Sequence, residues 1–268
     1  MSEIIRRPSP FVLAATGHGT LIVNRNDYNV AEDGVAYGVG HQLLNTGYFD
    51  PEEVSVAVGL LRLRRQEHGD GVVAIDCGAN VGVHTVEWAK AMHGWGRVIA
   101  IEAQERIYYA LAGNIAINNC FNASALHAAV GSGVGTIDVP LPDYTVPASF
   151  GSLELRQREG NEFIGQPIDY APERLQSISL VSIDSLGLER VDLIKLDVEG
   201  MELEALEGTI GVLRAQRPIM LVESIKVNRD ALLQLLQGLG YATYQSGIYV
   251  TAVHLADPCT RWIRVKSA

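Results

Sequence analysis

Three groups of residues in this 268-residue chain have types and spacings that can do chemistry. The first is the run Asp76, Cys77, Gly78, Ala79, Asn80, Val81, Gly82, with His84 and Thr85 just beyond it. Gly78 and Gly82 let backbone come close to a ligand, and glycine takes the positive-φ conformations that such turns need. The dinucleotide fingerprint G-x-G-x-x-G is not met, because Asn80 and Val83 stand where its second and third glycines belong. A pyrophosphate therefore fits poorly. Asp76 argues the same way, since a carboxylate at a strand end repels phosphate and attracts an ammonium group, directly or through water. A cofactor that carries an amino acid suits this turn better.

The second group is Glu102, at the end of the next strand, where an acid can accept hydrogen bonds from both hydroxyls of a ribose. The third is Asp197, Glu199 and Glu223, acids expected at the carboxyl ends of strands, where open α/β sheets bind ligands. A carboxylate there can take the proton of an alcohol as general base, and Asp197 and Glu199 lead that reading. Glu199 and Glu202 would also suit the N-terminus of the following helix through its dipole. Lys195 lies inside an apolar strand and needs an acid, with Asp184 or Glu223 as expected partners. His84 can donate to a bound ligand or simply cap and pack. His127 ends the third strand, where an adenine would lie. An oxygen-rich Mg²⁺ site is conceivable from these carboxylates but not expected, and the remaining histidines have no metal-ligand spacing.

The elements that must hold these residues follow from periodicity. Apolar strands at residues 72–76, 97–101 and 123–129 alternate with helical stretches at 83–91 and 105–118, the pattern of a mostly parallel sheet with helices on both faces. In the second helix Ile107, Ala110, Leu111 and Ile115 form one apolar stripe. A short extra strand is expected at 136–139. Strand character returns at 177–183 and 191–197, and Leu203, Leu206, Ile210 and Leu213 then mark a helix. A strand at 218–223, a helix at 229–239 and closing strands at 241–245, 248–253 and 261–265 predict an antiparallel C-terminal edge. Before this domain, assigned to residues 71–268, residues 1–70 read as a β/helical appendage. Its helix opens at Asp50 as N-cap with Pro51 at the first position and runs to about Arg65. Residues 140–175 hold Pro140, Pro142, Pro147, Pro167 and Pro172 and no clean period, which marks an insertion longer than ordinary connections. Such segments are lids, binding loops or disorder. Tyr144, Phe150, Phe163 and Tyr170 in it are expected to offer contacts to an acceptor.

Composition argues against other classes. A formal charge of −10 gives no electrostatic footprint for nucleic acid. Cys77, Cys120 and Cys259 are far apart, which suggests neither a zinc site nor a disulfide framework and fits a reducing, cytoplasmic compartment. The first ten residues carry Arg6 and Arg7, but the apolar stretch after Pro10 is too short for a signal peptide, and no membrane span is expected.

The glycine turn, Glu102 and above all Ile194, Lys195, Leu196, Asp197, Val198, Glu199, Gly200, Met201, Glu202 resemble the FkbM-type methyltransferase family. Ser182 to Leu186 resembles the strand and acidic turn that precede this motif, and Asn114 to Asn119 the asparagine-containing second helix. The resemblance runs from about Gly38 to Glu223. It implies the Rossmann-like class I methyltransferase fold, with a seven-stranded sheet, and S-adenosylmethionine as cofactor. It further implies O-methylation of a hydroxyl on a sugar, polyketide or other small natural product, and puts Asp76, Gly78, Asn80, Gly82 and Glu102 at the cofactor. A nicotinamide-dependent oxidoreductase and a catalytically idle binding protein on the same fold are the alternatives. Oligomeric state is not read from the sequence.

Overall fold

A computed structural model describes residues 8–263. The chain begins with a hairpin, β1 (Phe11–Thr16) and β2 (Gly19–Asn24), and a two-residue pair, β3 (Asn29–Val30) and β4 (Ala36–Tyr37). Helices α1 (Val39–Thr46) and α2 (Pro51–His68) follow. The sheet then starts with β5 (Val72–Cys77), α3 (Val83–Ala91), β6 (Gly96–Glu102), α4 (Glu105–Ile117) and β7 (Ala123–His127). A side sheet holds β8 (Ala129–Val130), β9 (Gly135–Pro140) and β10 (Leu175–Val181). The chain returns through β11 (Leu193–Leu196), α5 (Glu202–Glu207), α6 (Ile210–Ala215), β12 (Ile219–Glu223), α7 (Arg229–Gly238), β13 (Tyr241–Ser246) and β14 (Tyr249–His254).

The main sheet has seven strands in the order β13-β14-β12-β11-β5-β6-β7, and only β14 runs against its neighbours. This is the class I methyltransferase arrangement. The chain winds outward from β5 through β6 and β7, then restarts at β11 on the other side, so the switch point lies between β5 and β11. Ligands bind at the carboxyl ends beside such a point.

Strand side chains alternate between faces, and the core divides accordingly. Val72, Ala74, Leu193, Ile219 and Leu221 pack against Val54, Ala57 and Leu61 of α2 and Val83, Val86 and Ala89 of α3. Ile75, Cys77, Ile194, Leu196, Met220 and Val222 pack against α5, α6 and α7 through Ala205, Leu206, Leu213, Leu232 and Leu236. Each of the buried Val, Leu, Ile and Met side chains among these contributes about 1.5–3 kcal/mol. The same alternation puts Asp76, Lys195 and Glu223 on the α2–α3 face, which matters below.

Residues before β5 share this core. Asn114 of α4 donates to the carbonyls of Ile22 in β2 (3.1 Å) and Val81 (2.7 Å). Arg64 of α2 pairs with buried Asp192 and Asp257. Four expectations change. The helix predicted around residues 203–213 is two helices, because Gly208 packs against the Gly131 carbonyl, leaving no room for a Cβ, and the Thr209 hydroxyl turns back to the Ala205 carbonyl. The strand at 123–129 ends at His127, and Ala129–Val130 joins β10 instead. Pro258–Arg261 is a 3₁₀ turn capped by Asp257, not the start of a strand, and residues 264 and 265 of that expected strand lie outside the described residues. Helix α1 was not anticipated.

Candidate active site

After β5 the chain turns at Gly78 (φ +72), Asn80 (φ +49) and Gly82 (φ +89). The Asn80 side chain accepts the Val81 N–H (2.7 Å), which is how a non-glycine residue is held at positive φ. Gly78 is required by contact as well as by φ: a Cβ there would lie 1.7 Å from the Asp197 carbonyl oxygen. The turns after β5 and β11 therefore touch through backbone. Gly82 differs, since a Cβ there would meet the tip of the Leu111 side chain of α4 and not backbone.

These turns floor a cavity of ≈ 440 Å³ at the carboxyl ends of the strands. On the β6–β7 side its wall is Glu102, Gln104, Ile101 and the segment 128–130. On the β11–β12 side it is Asp197, Glu199, Glu223, Lys226 and Tyr249. Glu102 accepts the N–H groups of Asn80 (2.9 Å) and Gln104 (2.8 Å), which fixes its carboxylate at the cavity. Burial pushes its pKa up to about 7 despite those two donors.

The β11–β12 side is a network of charge. Lys195 pairs with Asp197 (2.8 Å) and lies 3.9 Å from Asp76, and Tyr249 donates its hydroxyl to Asp197 (2.7 Å). Burial opposes ionisation of Asp197, but the Lys195 ammonium and the Tyr249 hydroxyl overcome it and hold the carboxyl below its ordinary range. Lys226 pairs with Glu199 (2.7 Å) and Glu162 (2.8 Å) and donates to the Ser152 carbonyl (2.8 Å). Burial and the Asp197 charge push Glu199 well above the usual carboxylate range. Glu223 is buried, and its Oε2 has no hydrogen-bond partner among the described residues. Burial, then the charges of Asp197 and Glu202, push it up to about 8.

Of the residues singled out in the sequence, Gly78, Asn80, His84, Glu102, Asp197, Glu199 and Glu223 meet at this cavity. Asp76, Gly82, Thr85 and His127 do not line it. Asp76 lies behind the wall, accepting the Thr85 hydroxyl (2.6 Å) and facing Lys195. His127 stacks on Tyr108 (5.2 Å), with Nε2 3.0 Å from the Ala103 carbonyl. His84 packs edge-on against Trp88 with neither ring nitrogen partnered among the described residues, and burial with nearby Lys195 lowers it to about 3, so the ring is neutral. Lys195 takes Asp197 and Asp76 as partners instead of the expected Asp184 or Glu223; Asp184 caps α6 through the Gly211 and Val212 N–H groups. None of Tyr144, Phe150, Phe163 and Tyr170 lines the cavity; the insertion reaches it through Ser149, Gly151, Ser152, Leu153, Leu155 and Glu162. Phe150 is core, with Tyr144 packed on it. Asp50 stands at the N-cap position of α2, yet makes no capping bond and lines the cavity with Tyr37.

A family model described as the methyltransferase FkbM domain matches residues 76–243. The chain belongs to the FkbM methyltransferase family. It is 29% identical over 157 residues to methyltransferase sdnD of Sordaria araneosa, a match covering 50% of this chain and 59% of that relative, so the chain spans less than two thirds of the relative's length. Among solved structures it is similar to methyltransferase FkbM from Methylobacillus flagellatus KT (19% identity, TM-score 0.46, 69% of this chain and 43% of that one). It is also similar to a SAM-dependent O-methyltransferase from Thermotoga maritima (13% identity, TM-score 0.41, 96% and 90%). The family is one of methyltransferases and not of nicotinamide-dependent oxidoreductases. The cavity of this FkbM-family chain fits the chemistry of S-adenosylmethionine. Glu102 keeps acceptor capacity for a ribose diol, Ile101 and residues 128–130 give an apolar wall for a base, and the volume is that of a small-molecule site. No described helix is long and apolar enough to cross a membrane.

Proposed function

We propose that this methyltransferase transfers the methyl group of S-adenosylmethionine to a hydroxyl of a small molecule, such as a sugar or polyketide. The observation that carries this reading is the position of Glu223, a buried carboxylate with an unpartnered oxygen, in the same cavity as Glu102. When bound, the cofactor supplies an electrophilic methyl on a sulfonium. Glu102 would accept the ribose hydroxyls, and the backbone at Gly78 and Asn80 would approach the amino-acid part. Asp197, already committed to Lys195 and Tyr249, is a weak base and acts as an ionised anchor. Glu223 is the better proton acceptor, because a more basic carboxylate holds an alcohol proton better. Glu199, tied to Lys226, orients the acceptor at the mouth.

Two measurements test this. Calorimetry should show S-adenosylhomocysteine binding to the wild type and about 10-fold or greater weakening in Glu102→Ala, as expected for lost bonds to a charged acceptor. Incubation of hydroxyl-bearing compounds with labelled cofactor should then yield O-methyl products by NMR, with Glu223→Gln slowed about 10²-fold. Products methylated only at nitrogen or carbon would overturn the hydroxyl assignment, and unchanged binding in a folded Glu102→Ala would overturn the cofactor site.

A further inference from the structure

The carboxylates on the β11–β12 side outnumber the cations that could neutralise them. Lys195 is taken by Asp197 and Asp76, and Lys226 by Glu199, Glu162 and the Ser152 carbonyl. Glu202 and Glu223 are left without a cation among the described residues, and of the two it is Glu223 that lines the cavity. Glu223 is 5% exposed, and its Oε2 meets no donor among the described residues. The groups that face it from the surrounding elements are Lys195 of β11, Asp197 and Glu199 of the turn after it, Glu202 of α5, Lys226 beyond β12 and Tyr249 of β14. Tyr249 gives its hydroxyl to Asp197, and Glu202 accepts the N–H groups of Val198 and Gly200, so neither serves Glu223. A buried carboxylate in this position either keeps a proton or meets a cation from outside the chain.

We infer that Glu223 is the cofactor-charge sensor of the site: it holds a proton until the sulfonium enters the cavity, releases it then, and thereby distinguishes S-adenosylmethionine from its neutral-sulfur product. The inference rests on the cofactor reading above and adds a charge discrimination to it. Its support in basicity is that burial, Asp197 and Glu202 push Glu223 up to about 8, so without a bound cation it is protonated at neutral pH and cannot act as a base. A cation beside it lowers that value and produces the carboxylate. The charges then balance through turnover. On cofactor binding the Glu223 proton goes to solvent. During transfer Glu223 takes the hydroxyl proton as the new O–C bond forms, and the electron pair of the broken C–S bond stays on sulfur. The site thus passes from one cation and one carboxylate to a neutral thioether and a neutral carboxyl, and Glu223 is again in the state that the product complex favours.

The test is calorimetry of S-adenosylmethionine, S-adenosylhomocysteine and sinefungin, which carries a protonated amine in place of the sulfonium, in buffers of different ionisation enthalpy. At pH 7 the two cationic ligands should release about one proton and S-adenosylhomocysteine none. The preference for S-adenosylmethionine over S-adenosylhomocysteine should rise by up to about tenfold per pH unit and level off above pH 8. Glu223→Gln should abolish the difference in proton release while keeping S-adenosylhomocysteine affinity, which also reports that the variant is folded. If it does not fold, the wild-type comparison of the three ligands still decides. Equal proton release for charged and neutral ligands, or undiminished release in folded Glu223→Gln, overturns the inference while leaving the cofactor site intact. Failure of the wild type to bind any of the three overturns the cofactor reading, and this inference with it.

Discussion

Gly78→Ala should be the most damaging single-methyl change in the cofactor turn. The residue sits at φ +72, and a side chain in left-handed backbone costs about 1–2 kcal/mol. The larger effect is contact: the new Cβ would lie 1.7 Å from the Asp197 carbonyl oxygen, which is backbone and cannot rotate away. The turns after β5 and β11 must separate, straining the bonds from Asp197 N–H to the Cys77 carbonyl (3.2 Å) and from Gly78 N–H to the Ile101 carbonyl (2.9 Å). Each such bond contributes about 0.5–1.5 kcal/mol, so loss of both with the φ penalty totals roughly 2–5 kcal/mol. At about 2–4 °C per kcal/mol for a chain of this size, the melting temperature should fall by roughly 4–20 °C. Gly82→Ala is the control. It shares the positive φ (+89), but its Cβ meets the tip of the Leu111 side chain (2.6 Å), which can move, so it should lose only about the φ penalty. Differential scanning fluorimetry with and without S-adenosylhomocysteine reads both variants, and ligand stabilisation should be weaker for Gly78→Ala because Gly78 and Asp197 both border the cavity. Equal melting temperatures for the two variants, with unchanged ligand stabilisation, would refute a rigid contact between the turns.

Two other perturbations test the charge layout. Lys195→Met leaves Asp76 and Asp197 buried without their cation and should destabilise by about 3–5 kcal/mol in urea unfolding, with part regained in the double variant with Asp76→Asn. Asp27 accepts the Gly40 (2.9 Å) and Phe150 (3.0 Å) N–H groups, and burial still raises it to about 6. The folded chain therefore holds this proton more tightly than the unfolded one. Its contribution to stability is fully present below the unfolded pKa near 3.8 and is lost as pH rises through about 6. Unfolding free energies between pH 4 and 6 should accordingly have a less negative slope in Asp27→Asn than in the wild type, and identical slopes would contradict the raised value.

The sequence reading worked where chemistry and secondary structure are local. Glycine spacing, the acid ending β6 and the alternation of strand with helix are short-range patterns, and the central elements appear within a few residues of their expected ends. It fell short where a contact spans the chain. Nothing near Gly78 shows that its neighbour is the Asp197 carbonyl, so glycine there reads as room for a ligand when backbone proximity also demands it. Tyr249 enters the site because β14 pairs antiparallel to β12 with Tyr249 opposite Glu223, a register that strand propensity does not encode. Lys226 had a weak signal, lying just past Glu223 at a carboxyl strand end, but its partners Glu162 and Ser152 belong to the insertion, whose path has no period to read. The aromatic residues of that insertion look like ligand contacts, yet the folded chain needs Phe150 and Tyr144 as core.

Strand alternation links fold to chemistry here. Because β5 and β11 are paired with Asp76 opposite Lys195, and Asp197 lies two residues beyond Lys195, one buried ammonium stands between two carboxylates on the α2–α3 face. The same alternation in β12 brings Glu223 to that face, and the register with β14 adds Tyr249. A parallel sheet tolerates charge at its centre only when it is paired. Lys195 and Lys226 neutralise what the fold can neutralise on the β11–β12 side, and there Glu223 is the carboxylate that lines the cavity without a cation among the described residues. Its missing counter-charge has to come from solvent as a proton or from a ligand as a cation, and those two alternatives correspond to the resting and cofactor-loaded states proposed for this site.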